Sequence, residues 1–180
     1  DLEIAYTGIP IKNKDGKVTG AFEFIQDHTA SVRVAMYLNN EVEKLGENLD
    51  KLSKGDTNLS INIADADQYT KDAHDNFVRI NNRLSQVNDA VRLLVNDALV
   101  LSEAGTAGRL QTRADATRHH GDFRKVVEGV NDTLDSVIIP VNEALRVSRE
   151  YANSNFAARV NPALNVSGDW IEFKEALNNI

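Results

Sequence analysis

Apolar positions from Ala30 onward recur at alternating steps of three and four, the spacing of a helical stripe. Ala35, Leu38, Val42, Leu45, Leu49 and Leu52 form a first block, which stops at "KGDTN", where Gly55, Asp56 and Asn58 suit a cap or turn. A second block runs through Phe77, Ile80, Leu84, Val87, Val91, Leu94, Ala98 and Leu101 and breaks at "EAGTAGR". A third extends from Phe123 to about Tyr151 and breaks over "NSNFAARVNPALNVSGD". The pattern then restarts at Trp170, Phe173, Leu177 and Ile180. Heptad character sustained over several blocks predicts helices that pack as coiled coils.

The first thirty residues follow a different rule. In "LEIAYTGIPIKNKDGKVTGAFEFIQDHT", β-branched and aromatic residues flank "NKDG", a turn signal in which Gly16 can take positive φ. Val18, Phe22 and Phe24 alternate roughly with polar neighbours, the pattern of a half-buried strand. Two antiparallel strands are expected, near Glu3–Lys12 and Lys17–Gln26. A lone hairpin is marginal in water, so the rest of its sheet is expected upstream of residue 1, in a longer protein.

The breaks between helices resemble one another. "NLSINI", "RLQTRA" and "NFAARV" each carry an apolar residue (Leu59, Leu110, Phe156) and another four positions later (Ile63, Ala114, Val160). A tripeptide then reopens each helix: "DNF" ending at Phe77, "GDF" at Phe123 and "GDW" at Trp170, restarts 46 and 47 residues apart. A period of this length marks a repeated supersecondary unit. Each unit is a helix, an extended connector carrying two apolar pegs, and a second helix. A connector that crosses back lets both helices run parallel. Two such helices cannot bury so wide a stripe alone, whereas a homodimer supplies four. The expected fold is mostly α: elongated parallel four-helix coiled-coil bundles formed by a homodimer, preceded by a short antiparallel β-hairpin.

Tandem units of this kind resemble concatenated HAMP domains, the signal-relay modules of chemoreceptors and sensor kinases. "GDFRKVVEGVNDTLDSVIIPVNEAL" is similar to the poly-HAMP regions of methyl-accepting chemotaxis proteins. The hairpin ending in "QDHT" resembles the end of a PAS sensor domain, whose closing D-x-T signature falls on Asp27 and Thr29. The resemblance implies a PAS end at 1–30 and HAMP units at 31–86, 87–136 and 137–180, the last truncated at its second helix. It further implies a cytoplasmic relay to an output domain, either of a chemotaxis receptor or of a histidine kinase. Where family members open the second helix with an Asp-Glu pair, this chain has Gly121-Asp122, Gly168-Asp169 and, in the first unit, Asp75-Asn76.

Pro140 interrupts the longest apolar stripe, where a proline costs about 3 kcal/mol in a helix interior. In the resemblance it stands where the second helix of one unit becomes the first helix of the next. The residues add a reason of their own. One heptad register selects Val126, Val130, Thr133, Val137, Pro140, Ala144 and Val147; another selects Val127, Val130, Leu134, Val137, Val141, Ala144 and Ser148. Both seams are largely apolar, so the stripe admits two rotational settings. A relay uses both settings, whereas a passive dimerisation spacer needs one.

Composition narrows the rest. A net charge of −7 argues against a general nucleic-acid binder, which needs a basic face. The absence of cysteine removes disulfides, thiolate metal sites and a cysteine nucleophile. No apolar run approaches the roughly 20 residues that span a bilayer, so no membrane contact is expected in this segment. His119-His120 has no third ligand at metal-binding spacing and reads as a solvated helix entry. His74 lacks the surroundings of a phospho-accepting histidine. No paired carboxylates suggest acid–base chemistry; neither an enzyme nor a cofactor is expected. Asp122 and Asp169, just ahead of heptad aromatics, are placed to cap free amides and oppose the helix dipole.

Overall fold

The structure is a computed structural model that describes residues 2–179. In chain order it contains β1 (Ile4–Lys12), β2 (Val18–Asp27), α1 (Thr29–Ser53) and α2 (Lys71–Thr106). A one-turn 3-10 helix (Ala116–Arg118), α3 (Gly121–Ala152) and α4 (Asp169–Asn178) follow. The chain divides into two compact units, Asp1–Arg92 and Leu93–Ile180, with the boundary inside α2. None of the described helices is long and apolar enough to cross a membrane.

The hairpin falls where alternation and the turn signal place it, each strand within a residue of expectation. Ile4 pairs with Asp27 and the ladder runs antiparallel to Lys12 and Val18, with an irregularity between Ile11 and Lys12. Gly16 takes φ 81°, and the Asn13 side-chain oxygen accepts from the amides of Asp15 and Lys17, closing the turn. The expectation of a half-buried strand is not met. Both strands are exposed along their whole length, Phe22 and Phe24 included, because no second layer covers either face within the described residues.

The ends of α1, α2 and α3 are the same device used three times. Gly55, Gly108 and Ser154 adopt left-handed φ values of 80°, 70° and 65°. The next amide in each case, Asp56, Arg109 or Asn155, donates back to Lys51, Ala104 or Glu150 at 3.0, 2.8 and 2.9 Å. This Schellman closure satisfies carbonyls that the helix end leaves free and turns the chain into the connector. Glycine reaches that conformation without a Cβ clash, which Ser154 has to bear.

The helix starts differ from expectation in the first repeat. α2 begins at Lys71, six residues before Phe77, so Asp75 and Asn76 lie inside a helix rather than ahead of one. The Asp67 side chain accepts from the amides of Tyr69 and Thr70, and the Thr70 hydroxyl accepts from the Asp67 amide. That local capping box overrides the apolar spacing that pointed to "DNF". The Phe123 and Trp170 restarts hold, since α3 starts at Gly121 and α4 at Asp169. Ile180, the last position of the expected stripe, lies outside the described residues.

α3 runs unbroken through Pro140, which is buried. Chief among its covered positions are Val127, Asn131, Leu134 and Ile138 in the first half, then Pro140, Ala144, Val147 and Tyr151. Each set steps four-three-four, but the second begins two residues after the first ends. At about 100° per residue the two stripes point roughly 140° apart. Pro140 is where one helix exchanges the face it buries. Its missing N–H leaves the Ser136 carbonyl without a helical partner, which softens the ladder at that exchange.

Candidate functional site: the connector clamps

An extended connector can follow the helices beside it only if polar groups fix its backbone to them. Each of the three helices that enter a connector presents a carboxylate to it. Glu41 of α1 is almost wholly buried and its Oε1 accepts from the Ala64 amide at 3.2 Å and from Lys44 Nζ at 2.6 Å. Asp97 of α2 takes the His119 ring nitrogen Nε2 at 2.7 Å, with the Arg118 guanidinium 3.7 Å from its other oxygen. Glu143 of α3 accepts from the Asn161 amide at 2.7 Å and pairs with Arg146 through both oxygens. The Arg146 guanidinium, helped by the Asn161 amide, holds the Glu143 carboxyl below the usual range despite partial burial. Charge-assisted bonds of this kind are about twice as strong as neutral ones.

Asparagines hold the connectors as well. Asn131 of α3 closes a two-bond ring with Ala114, its Oδ1 accepting from the amide at 3.1 Å and its Nδ2 donating to the carbonyl at 2.9 Å. Asn178 of α4, 47 residues later, accepts from the Val160 amide at 2.8 Å. In the first repeat Asn48 of α1 makes the same two-bond ring with Ser60, at 2.7 and 2.9 Å. Asn81 and Asn88 of α2 donate to the carbonyls of Ile61 and Thr57. An asparagine side chain matches a peptide group donor for acceptor, so it can hold extended backbone as a neighbouring strand would.

The pegs divide by position. The second pegs are covered: Val160 is buried, and Ile63 and Ala114 are half-buried beside the asparagine bonds. Of the first pegs Leu59 is half-buried, but Leu110 is 43% and Phe156 67% exposed. Leu110 and Phe156 are therefore left exposed within one chain. Phe156 does no more than stack loosely on Tyr151, with ring centroids 6.3 Å apart.

Asp27 and Thr29 do meet, at the entry to α1. The Asp27 side chain accepts from the Thr29 amide at 2.8 Å, and the Thr29 hydroxyl oxygen accepts from the Glu3 amide at 2.9 Å. With the His28 amide donating to the Glu3 carbonyl at 2.7 Å, these bonds tie the start of the hairpin to the first turn of the helix. Thr29, through hydroxyl and amide, holds the Asp27 carboxyl below its ordinary range.

Two expectations are corrected. Asp122 and Asp169 cap no amide: the residues preceding the helices are His120 and Gly168, and neither start has a side-chain cap bond. Asp122 reaches out to Lys125 Nζ at 2.7 Å instead, leaving only its place in the first turn to favour the dipole. The work at both starts falls to Gly121 and Gly168, at φ 57° and 58°. His119, read as solvated, is buried against Asp97, while His120 is exposed.

The clamp carboxylates and asparagines escaped a reading that followed apolar positions. A signal was present. Asp97 and Glu143 stand 46 apart and Asn131 and Asn178 stand 47 apart, the same period as the restarts, and all interrupt helical stripes with polar groups.

The helix α3, its connector and α4, held by Glu143, Asn178 and buried Val160, form a helix–connector–helix repeat. Residues 118–180 match the family model of the HAMP domain. The HAMP match spans that repeat and takes in Arg118, His119 and Pro140 at its N-terminal side. A HAMP domain is a signal-transduction linker of receptors and kinases, and this stretch is similar to one. No curated protein matches the chain.

Proposed function

We propose that the whole chain is a relay of three HAMP-type units, 31–86, 87–136 and 137–180, working as a parallel homodimer. It passes a conformational change from a PAS sensor, whose closing hairpin is 1–30, to an output domain of a chemotaxis receptor in the cytoplasm. It performs no catalysis itself. The observation that carries this reading is the recurrence, in all three connectors, of a carboxylate from the preceding helix that accepts a bond from the connector, beyond the stretch that matches the HAMP family. A clamped connector moves with both of its helices, so a rotation of one helix is transmitted to the other as a shift between packings.

The bare seam supports the dimer. Val42, Leu49, Val87, Val130, Val137 and Leu145 are all exposed in the single chain, although they sit at apolar steps of their helices. Around the α1–α2 groove, Leu45, Leu49, Ile80 and Val87 leave an open apolar cleft of about 650 Å³. A second copy brought alongside in parallel would cover equivalent positions with one another.

The test is sedimentation at micromolar concentration combined with disulfide cross-linking of the Val130→Cys variant. Two chains joined through position 130 of each are expected. A compact monomer, or an antiparallel pair that does not cross-link there, overturns the proposal. A dimer that holds one packing under every perturbation would leave a passive spacer.

A further inference from the structure

The three clamps are alike in their acceptor and unlike in their donor. In the first and third the connector offers a peptide amide, Ala64 to Glu41 and Asn161 to Glu143. Peptide amides do not change charge in the working range of pH. In the middle clamp the connector offers an imidazole, the Nε2 of His119, bound to Asp97 at 2.7 Å. The ring is 1% exposed and the carboxylate 9%.

We propose that the middle connector is held by a proton-responsive latch, in which a second proton on His119 tightens the connector onto α2 and its loss slackens it, while the other two connectors do not respond. The latch belongs to a single chain and stands whether or not the chain is a relay.

The charges around the ring set the direction. From α2 it meets Asp97. From its own connector come Arg118, beside the other Asp97 oxygen, and Asp115. The Asp115 carboxyl is held below its ordinary range mainly by the hydroxyl and amide of Thr117, with the charges of Arg118 and His119 adding to this. His120 is exposed. At the start of α3, Asp122 is paired with Lys125 and Arg124 with Glu128, so each pair sums to zero charge. Two carboxylates therefore stand against one guanidinium, and an imidazolium finds its counter-charge there. A neutral ring donates to Asp97 a bond that is charged on the carboxylate side alone; a protonated ring makes the same bond charged on both sides. A contact that strengthens on protonation is held closed more of the time as protons become available. Opening must then become rarer as pH falls and the ring takes up its second proton.

The experiment is amide hydrogen exchange on the complete 180-residue chain at about pH 8 and about pH 5.5. Protection factors from Thr112 to His119 are expected to rise severalfold at the lower pH, the difference between a bond charged on one side and the same bond charged on both. Those of Ala64 and Asn161 are expected to stay level. His119→Gln keeps an N–H donor that cannot titrate and is expected to flatten the response. His120→Gln is expected to preserve it. A level response in the unaltered chain, or an undiminished one in His119→Gln, overturns the latch. Should His119→Gln lose helical content, the ring nitrogen shifts of His119 in the unaltered chain decide. A ring that keeps one charge state at both pH values also overturns it.

Discussion

Asn131 and Ala114 are joined twice, by an amide donating to Oδ1 at 3.1 Å and by Nδ2 donating to the carbonyl at 2.9 Å. One side chain on α3 thus fixes the second connector at its covered peg. Asn131→Ala removes both bonds and frees a peptide group that is only partly open to water. A net loss of roughly 1–3 kcal/mol is expected. Asn131→Asp retains the acceptor, loses the donor and is expected to fall between. Thermal unfolding with hydrogen exchange at Ala114 checks both; a neutral alanine variant would mean that the connector is held elsewhere.

Two glycines on the same helix are expected to respond with opposite signs. Gly121 sits at φ 57°, where a Cβ is strained, so Gly121→Ala is expected to destabilise by about 1–2 kcal/mol. Gly129 has ordinary helical backbone and open space around the position of a new Cβ. Gly129→Ala is expected to stabilise by up to about 1 kcal/mol. Melting temperatures moving in the same direction would contradict the backbone assigned to the α3 start.

Acid is expected to loosen the start of α2 in a defined window. The Arg33 guanidinium first, then the amide of Tyr69 and the hydroxyl and amide of Thr70, lower the Asp67 carboxyl to about 2 from 3.8. A carboxyl depressed in the folded chain contributes stability that is complete above its unfolded value and lost as pH falls through its folded one. The contribution of Asp67 should therefore drain away between 3.8 and about 2. Asp67→Asn removes the charge and the pairing with Arg33, and fraying at Lys71–His74 followed by exchange should then lose its dependence on pH across that interval. An unchanged acid profile in this variant would assign the effect to other carboxyls.

The two seams of α3 meet at neighbouring positions, Thr133 against Leu134 and Pro140 against Val141. Thr133→Leu strengthens the first seam and Leu134→Thr weakens the second, so both are expected to shift the paired chains the same way. A complete swing between packings requires about 5.5 kcal/mol of differential stabilisation, but a balanced pair responds visibly to a fraction of that. Inter-chain spin-label distances beside Val137 read the shift. The same distance distribution in both variants and the unaltered chain would favour one rigid packing.

The restarts at Phe123 and Trp170, the hairpin about Gly16, and the helices α1, α3 and α4 were legible from spacing alone. Those patterns are local: a helix repeats every 3.6 residues and a strand every two, and each period shows in the order of residues. The same logic misplaced the start of α2. Apolar spacing pointed to Phe77, while the Asp67–Thr70 box, equally local but polar, began the helix earlier. Asp122 and Asp169 were misread because acidic residues before a helix suit a cap in general. Only backbone angles reveal that Gly121 and Gly168 make those turns.

Order along the chain determined which segments are helical, where they break and that the breaks repeat. It also determined, through positive-φ glycines at 55 and 108, how two of the helices end. The tertiary structure alone decided what crosses those helices. Glu41 reaches a peptide 23 residues away, Asp97 a ring 22 away and Asn131 a peptide 17 away, separations that no helical or strand period encodes. It decided too that α3 buries one face before Pro140 and another after it. The sequence carries apolar residues on both faces, and only the neighbours that each half meets in space select which of them is covered.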